Sequence, residues 1–109
     1  MNLNVCGGIS SNSKSAISRN TIGGAIENNN VTSIEGNTGC KEGIIANTLS
    51  GSILDNVVGY QIYANTNTGD ILRNNVRYII SNNSSGIDDI SDNICYAIQN
   101  NGGPGAWLT

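Results

Sequence analysis

Three columns of residues recur every 18 positions, and this period constrains the fold more than any other feature of the sequence. The first column is isoleucine at every step: Ile26, Ile44, Ile62, Ile80 and Ile98. The second is asparagine three residues later: Asn29, Asn47, Asn65, Asn83 and Asn101. The third, four residues before each isoleucine, is apolar: Ile22, Cys40, Val58, Val76 and Ile94. Self-similarity at a fixed period predicts a repeat protein in which each unit packs mainly on its neighbours.

A second and looser copy of the pattern lies half a period away. Its isoleucines are Ile17, Ile34, Ile53, Ile71 and Ile90. An asparagine again follows each of them by three residues, at Asn20, Asn37, Asn56, Asn74 and Asn93. Each period therefore consists of two similar halves, with small irregularities of the kind that β-bulges accommodate.

Alternating residues along each half predict short strands. Val58, Tyr60 and Ile62 are spaced by two, so an extended chain places them on one face. The asparagine then breaks the alternation, and asparagine tolerates the left-handed backbone of a corner. A strand of about five residues plus a corner fills each half, and successive turns stack in parallel about 4.8 Å apart. The sequence thus predicts an all-β, single-domain parallel β-helix (β-solenoid) of about 18 residues per turn with five to six coils.

The columns also predict where side chains point. Isoleucines fill the core, and stacked asparagine amides hydrogen-bond from coil to coil. The column of Tyr60, Tyr78 and Tyr96 is expected inside, opposite Gly51 and Gly69. In the segment GCKEG (39–43) we expect a bulge that turns Glu42 outward, because an unpaired buried carboxylate is costly. Charged residues align on the surface at Arg19, Asp55, Arg73 and Asp92.

The pattern weakens at both ends of the chain. Residues 1–14 are interpreted as a degenerate first coil or an N-terminal cap, 15–101 as the solenoid, and 102–109 as a C-terminal cap or tail. Trp107 and Leu108 either cover the last coil or mediate self-association. Open strand edges at solenoid ends invite pairing with another chain. We therefore expect a homo-oligomer formed through the coil ends.

Composition excludes several classes of partner. The net charge is −3, with five Lys plus Arg, which gives no basic surface for nucleic acid or anionic membrane. No apolar run reaches the roughly 20 residues of a membrane span, and the first residues do not form a signal peptide. Cellular location is left open. There is no histidine, and the three cysteines lack zinc-site spacing, so they are interpreted as free thiols.

Two groups of residues are candidate sites. If Val31 and Leu49 point inward, small hydroxyl residues form a flat outward array that includes Thr48, Ser50, Thr66 and Thr68. The densest acid group is Asp88, Asp89 and Asp92, in GIDDISDN. Adjacent carboxylates are ligands for a hard cation such as calcium, or an acid/base pair. The alternative for each group is an ordinary solvated surface. No other cofactor is indicated.

The run SILDNVVGYQIYANTNTGDILRNNVRYIISNN (52–83) resembles the parallel β-helix repeat family. The resemblance implies a right-handed β-helix of the kind found in polysaccharide lyases, hydrolases, epimerases and phage tailspikes. This chain has a shorter turn, and no catalytic motif of that family matches it. Separately, NTLSG (47–51) and NTNTG (65–69) resemble repeats of grass ice-recrystallisation inhibitors.

Three functions remain open at this point. The leading expectation is a non-catalytic structural or binding module that recognises polysaccharide or joins a larger assembly. One alternative is an ice-binding protein that uses the Thr/Ser array. The other is a remnant of a carbohydrate-active β-helix enzyme. A fold alone does not choose among them.

Overall fold

The computed structural model describes residues 5–11, 13, 16–67, 69–83, 90–99 and 101, and these form a parallel β-solenoid. The coils that begin at Ile17, Ile34 and Ile53 each have four short strands. The solenoid therefore has four sides, which we number in chain order from the first isoleucine of a coil. All pairing between strands is parallel and joins one coil to the next. The described residues contain no α-helix.

Sides 1 and 2 carry the first half of each coil. Side 1 contains β3 (Ile17–Ser18), β7 (Ile34–Glu35), β11 (Ile53–Leu54), β15 (Ile71–Leu72) and β18 (Ile90–Ser91). Side 2 contains β1 (Val5–Cys6), β4 (Thr21–Ile22), β8 (Thr38–Gly39), β12 (Val57–Val58) and β16 (Asn75–Val76). Between β8 and β12 the pairing is interrupted, and single backbone hydrogen bonds such as Gly59 N to Gly39 O (3.0 Å) join them.

Sides 3 and 4 carry the second half. Side 3 contains β2 (Ile9–Ser10), β5 (Ala25–Glu27), β9 (Gly43–Ile45), β13 (Gln61–Tyr63), β17 (Ile79–Ser81) and β19 (Ala97–Gln99). Side 4 contains β6 (Asn30–Val31), β10 (Thr48–Leu49) and β14 (Thr66–Asn67). Strands of two or three residues replace the five-residue strands that the alternation predicts, because each half bends once more in its middle.

The isoleucine columns form the core, as the sequence predicts. In the register of side 3, Ile62 lies between Ile44 and Ile80, and on side 1 Ile53 lies between Ile34 and Ile71. These side chains are fully buried. Each coil therefore adds one layer of isoleucine from each half, and the layers remain in contact along the whole stack.

The asparagines form two continuous ladders, which confirms the predicted amide stacking. One ladder runs Asn20, Asn37, Asn56, Asn74 and Asn93, and the other runs Asn29, Asn47, Asn65, Asn83 and Asn101. At each step the backbone N–H and the side-chain Nδ2 of one asparagine both donate to Oδ1 of the asparagine in the following coil. In the body of the stack the amides are buried and each also donates to an isoleucine carbonyl of the previous coil.

The left-handed corner residue is not the ladder asparagine itself, which corrects the sequence interpretation. A positive φ falls on the residue just before it, for example at Arg19, Ala46, Asp55 and Arg73, with values of 53° to 57°. This residue turns the chain, so that the next side chain points into the core. Its own side chain lies outside, and residue types as different as Ala, Arg and Asp are therefore found there.

Two further expectations have definite outcomes. The bulge in GCKEG is confirmed, since Lys41 and Glu42 form an exposed turn closed by Gly43 N donating to Cys40 O at 2.9 Å.

The inward position predicted for Ile94 is wrong. Ile94 pairs with Asn75, which faces outward, and the neighbouring Cys95 packs against the core instead. Ile90 follows Ile71 by 19 residues rather than 18, and Ile94 likewise follows Asn75 by 19, so this column is shifted by one.

Candidate binding surfaces

The hydroxyl residues that the sequence singles out lie together on side 4. Thr48 pairs with Thr66 in the next coil and with Asn30 in the previous one. Thr48, Ser50 and Thr66 are exposed, while the intervening Leu49 is buried. Thr68 lies outside the described residues. The array is therefore outward-facing, and the hydroxyl and amide groups of adjacent coils are in exact strand register.

The acidic cluster can be placed only in part. Asp88 and Asp89 lie outside the described residues, and Asp92 is an exposed corner residue at the end of β18, with φ 56°. Among the residues that the structure describes, no three His, Cys, Asp or Glu side chains gather as metal ligands. Asp92 belongs to side 1 and is separate from the hydroxyl array of side 4.

The tyrosine column is on the surface, so its predicted inward position is wrong. Tyr60, Tyr78 and Tyr96 are 45%, 44% and 82% exposed. Their rings stack on one another, with centroids 5.5 Å and 6.1 Å apart and planes 6° and 19° from parallel. We call these three residues the tyrosine strip. It runs along the corner between sides 2 and 3, over three adjacent coils.

The backbone explains why the tyrosines point outward. Val58 and Ile62 are both buried, but the chain bends at Gly59–Tyr60 between β12 and β13, so the strict alternation between them is lost. The same column holds Gly24 and Glu42 in earlier coils, and Glu42 is exposed. A column that accepts glutamate is a surface column, so Glu42 is the residue in the sequence that indicates the outward position of the tyrosines. Gly51 and Gly69 accordingly do not face the tyrosines. A Cβ on Gly51 would collide with the backbone oxygen of Thr32 in the adjacent coil.

Other exposed apolar and amide groups lie close to the tyrosine strip in sequence and on the same coils. Val57 and Ile94, both on side 2, are exposed large hydrophobic residues. Asn75 and Arg77 are also exposed, and Gln61 is partly so. An apolar strip with a polar rim is typical of an interaction surface.

The predicted charge column occupies the corner after side 1. Arg73 donates from Nε to Asp55 Oδ1 at 2.8 Å and from Nη2 to Oδ2 at 3.2 Å. These hydrogen bonds from Arg73 lower the pKa of the Asp55 carboxyl below its ordinary value. Arg19, Glu35, Gly36 and Asp55 line a shallow depression of about 370 Å³ beside this pair. Its walls carry both signs of charge and it is open to solvent.

The three cysteines are free thiols. Cys40 is buried, and burial raises the pKa of its thiol to about 12. Burial also raises the pKa of the Cys95 thiol. Cys6 and Cys95 are partly buried and pack against opposite ends of the core. A high pKa keeps a thiol protonated at neutral pH, which makes it a poor nucleophile.

Within the described ranges, no helix is long and apolar enough to cross a membrane. Comparison with known proteins adds no relative: no protein-family model, no curated protein and no solved structure matches this chain. The surfaces described above are therefore the basis for any functional argument.

Proposed function

We propose that this solenoid is a non-catalytic module that binds polysaccharide along the tyrosine strip. The observation that carries the proposal is the exposure of Tyr60, Tyr78 and Tyr96 as one parallel stack. The tyrosines do not serve to fill the core, because isoleucine and asparagine side chains occupy the core.

The chemistry of the strip fits a sugar polymer better than other ligands. Tyrosine combines an apolar ring with a hydroxyl group that exchanges hydrogen bonds, and this matches the mixed apolar and hydroxyl surface of a polysaccharide. Asn75, Gln61 and Arg77 supply further hydrogen-bonding groups beside the rings. The net charge of −3 disfavours a polyanion such as nucleic acid, whose affinity depends on phosphate neutralisation.

The repeat geometry supports a polymer rather than a small molecule. One ring is presented per coil, so a ligand that contacts all three must extend along the solenoid axis. All three rings are exposed to solvent. Several weak contacts along one chain can add to useful affinity, as in other multivalent binding. Asp92 lies at the corner after side 1, whereas the strip lies at the corner between sides 2 and 3, so no catalytic role is proposed for it.

The test is binding of the purified chain to a panel of neutral and acidic polysaccharides, measured by affinity electrophoresis and calorimetry. Tyr78→Ala removes the central ring and both stacking contacts, so we expect at least about tenfold weaker binding, as for loss of an aromatic anchor. The matched control is Thr48→Lys on side 4, which leaves the strip intact and should bind like the wild type. Equal binding by Tyr78→Ala and wild type, or no binding to any polysaccharide, would overturn the proposal.

The hydroxyl array of side 4 supports ice binding as a second candidate. The specific observation is the strand register of Thr48 with Thr66 and Asn30, with the outward residues exposed. A regular array of small groups on a flat sheet is suited to a periodic solid surface. Recrystallisation inhibition should then be lost in Thr48→Lys and retained in Tyr78→Ala, the reverse of the polysaccharide result. If the wild-type protein does not inhibit ice recrystallisation, ice binding is excluded as its function.

A further inference from the structure

The two ends of the solenoid carry matching residues in the same columns of side 2. Following the pairing from coil to coil, the outward column begins at Val5 and ends at Ile94. The inward column next to it begins at Cys6 and ends at Cys95. Each terminal residue thus has a counterpart of similar chemistry at the other end of the stack.

Val5 and Ile94, the two end residues of the outward column, are unusually exposed for apolar residues. Val5 is 85% exposed and Ile94 is 69% exposed, and both lie at the outer edge of a strand ladder. Within the described residues, β1 pairs only with β4, and Ile94 bridges only to Asn75. Cys6, Cys95 and Ile98 pack against the core but stay partly exposed, whereas the isoleucines of the middle coils are fully buried.

The hydrogen bonds of the asparagine ladders all run in one direction along the solenoid. In every earlier coil, the backbone N–H and Nδ2 of a ladder asparagine donate to Oδ1 of the following coil. Asn93 and Asn101 are the last described members of the two ladders, and each donates from Nδ2 to an isoleucine carbonyl of the previous coil. The donors of each coil therefore point toward the coil that follows it, and the acceptors toward the coil before it.

We propose that copies of this chain stack head to tail, with the C-terminal end of one solenoid against the N-terminal end of the next. Ile94 then covers the next copy's Val5, and Cys95 lies beside the next copy's Cys6. The contact continues the register that already joins coils within the chain. It buries the two most exposed large aliphatic side chains of the described residues against each other. Because the two surfaces differ, the contact is heterologous and yields an open filament rather than a closed pair.

The cysteines provide a direct test of this register. Five coil steps separate Cys6 from Cys95 within one chain, roughly 24 Å at about 4.8 Å per step, which is too far for a disulfide. In the stacked pair they occupy adjacent strands, about 4.8 Å apart, which is within disulfide range. The oxidant in the test is diamide. Two thiols lose two protons and two electrons to form the S–S bond, and the N=N group of diamide takes them up to become a hydrazine.

Oxidised wild-type protein should form dimers, trimers and higher species on a non-reducing gel, and peptide mass spectrometry should show Cys6 joined to Cys95. Cys6→Ser and Cys95→Ser should each remove all species above the monomer. A dimer that persists in Cys6→Ser would indicate contacts between like ends and overturn the proposal. Cross-links that map only to Cys40 would also overturn it, because that thiol is buried.

A non-covalent measurement makes the test independent of thiol chemistry. Ile94→Asp places a charge in the proposed contact at an exposed position, so the fold should be retained while self-association weakens at least about tenfold in analytical ultracentrifugation. Val57→Asp is the matched control, because Val57 occupies the same outward column in the middle of the stack. Equal association of these two variants, or a wild type that is monomeric at every concentration, contradicts head-to-tail stacking. None of these readouts depends on the tyrosine strip.

Discussion

Asn56 and Asn74 are joined by two hydrogen bonds to a single oxygen. The backbone N–H of Asn56 donates to Asn74 Oδ1 at 2.9 Å, and its Nδ2 donates to the same atom at 3.0 Å. The second Nδ2 hydrogen reaches the carbonyl of Ile34 at 3.0 Å, and Asn37 supplies both donors to Asn56 Oδ1. Every polar group of this buried side chain is satisfied. The solenoid can therefore contain an amide in its core at each half-turn.

Asn56→Asp tests this arrangement with almost no change of shape. The carboxylate cannot donate to Asn74 Oδ1 or to the Ile34 carbonyl, and the new charge has no buried partner. We expect a loss of about 3 kcal/mol or more of unfolding free energy, measured by urea denaturation. The control is Asn28→Asp, at an exposed corner with φ 56°, where aspartate is tolerated. Equal urea midpoints for the two variants would contradict the buried ladder.

Some of this structure can be predicted from the sequence, because strictly repeated columns report the coil-to-coil register. The period, the isoleucine core and both asparagine ladders follow from spacing alone. The corner geometry does not follow, since the left-handed residue before the ladder asparagines varies among Arg, Asp, Ala, Asn and Gly and leaves no column of its own. The outward position of the tyrosine strip does not follow either. Alternation holds only within a strand, and the bend at Gly59–Tyr60 interrupts it.

The strained corners predict a stabilising substitution. Ala46 is exposed and has φ 55°, a conformation that costs an L-residue about 1 kcal/mol relative to glycine. Ala46→Gly should therefore raise the unfolding free energy by about 0.5 kcal/mol after the entropy cost of glycine is deducted. Ala25→Gly, in the buried strand β5, should lower it instead. Thermal and urea unfolding of both variants will show whether the signs differ, and destabilisation by Ala46→Gly would argue against this corner geometry.

The Asp55–Arg73 pair predicts a small pH-dependent stabilisation. The pKa of Asp55 is lowered from its ordinary 3.8 in the folded chain, so the unfolded chain takes up the proton first as pH falls. The contribution is present above pH 3.8 and is lost as the pH falls through the lowered folded value. Because both side chains are exposed, the effect is small and screened by salt.

The check is Asp55→Asn, which keeps the side-chain shape and tolerates positive φ. Its melting temperature should be slightly below that of wild type at neutral pH and low salt. The difference should disappear in acid and in concentrated salt. Asp70→Asn, whose carboxylate forms no salt bridge among the described residues, should show no such trend. A difference that does not vary between neutral and acidic pH contradicts the assignment.

Thiol reactivity should separate the three cysteines. Cys40 is buried with a pKa of about 12, so at neutral pH it is protonated and shielded from alkylating reagents. Iodoacetamide applied to the native protein should leave Cys40 unmodified while the partly exposed Cys6 reacts, and all three should react in urea. Peptide mass spectrometry gives the modified fraction at each site. Rapid native modification of Cys40 would show that its coil opens or is misplaced.

The central claim is that the isoleucine column of side 3, which contains Ile62, lies inside the solenoid. The column of side 2 that contains Val57 lies outside. The most direct measurement is the melting temperature of Ile62→Asp beside that of Val57→Asp. Ile62 is fully buried between Ile44 and Ile80, whereas Val57 is exposed. We predict that Ile62→Asp abolishes the folding transition, because it leaves an unpaired charge in the core, and that Val57→Asp melts close to wild type. An Ile62→Asp protein that melts like wild type would contradict the 18-residue register on which the whole structure depends.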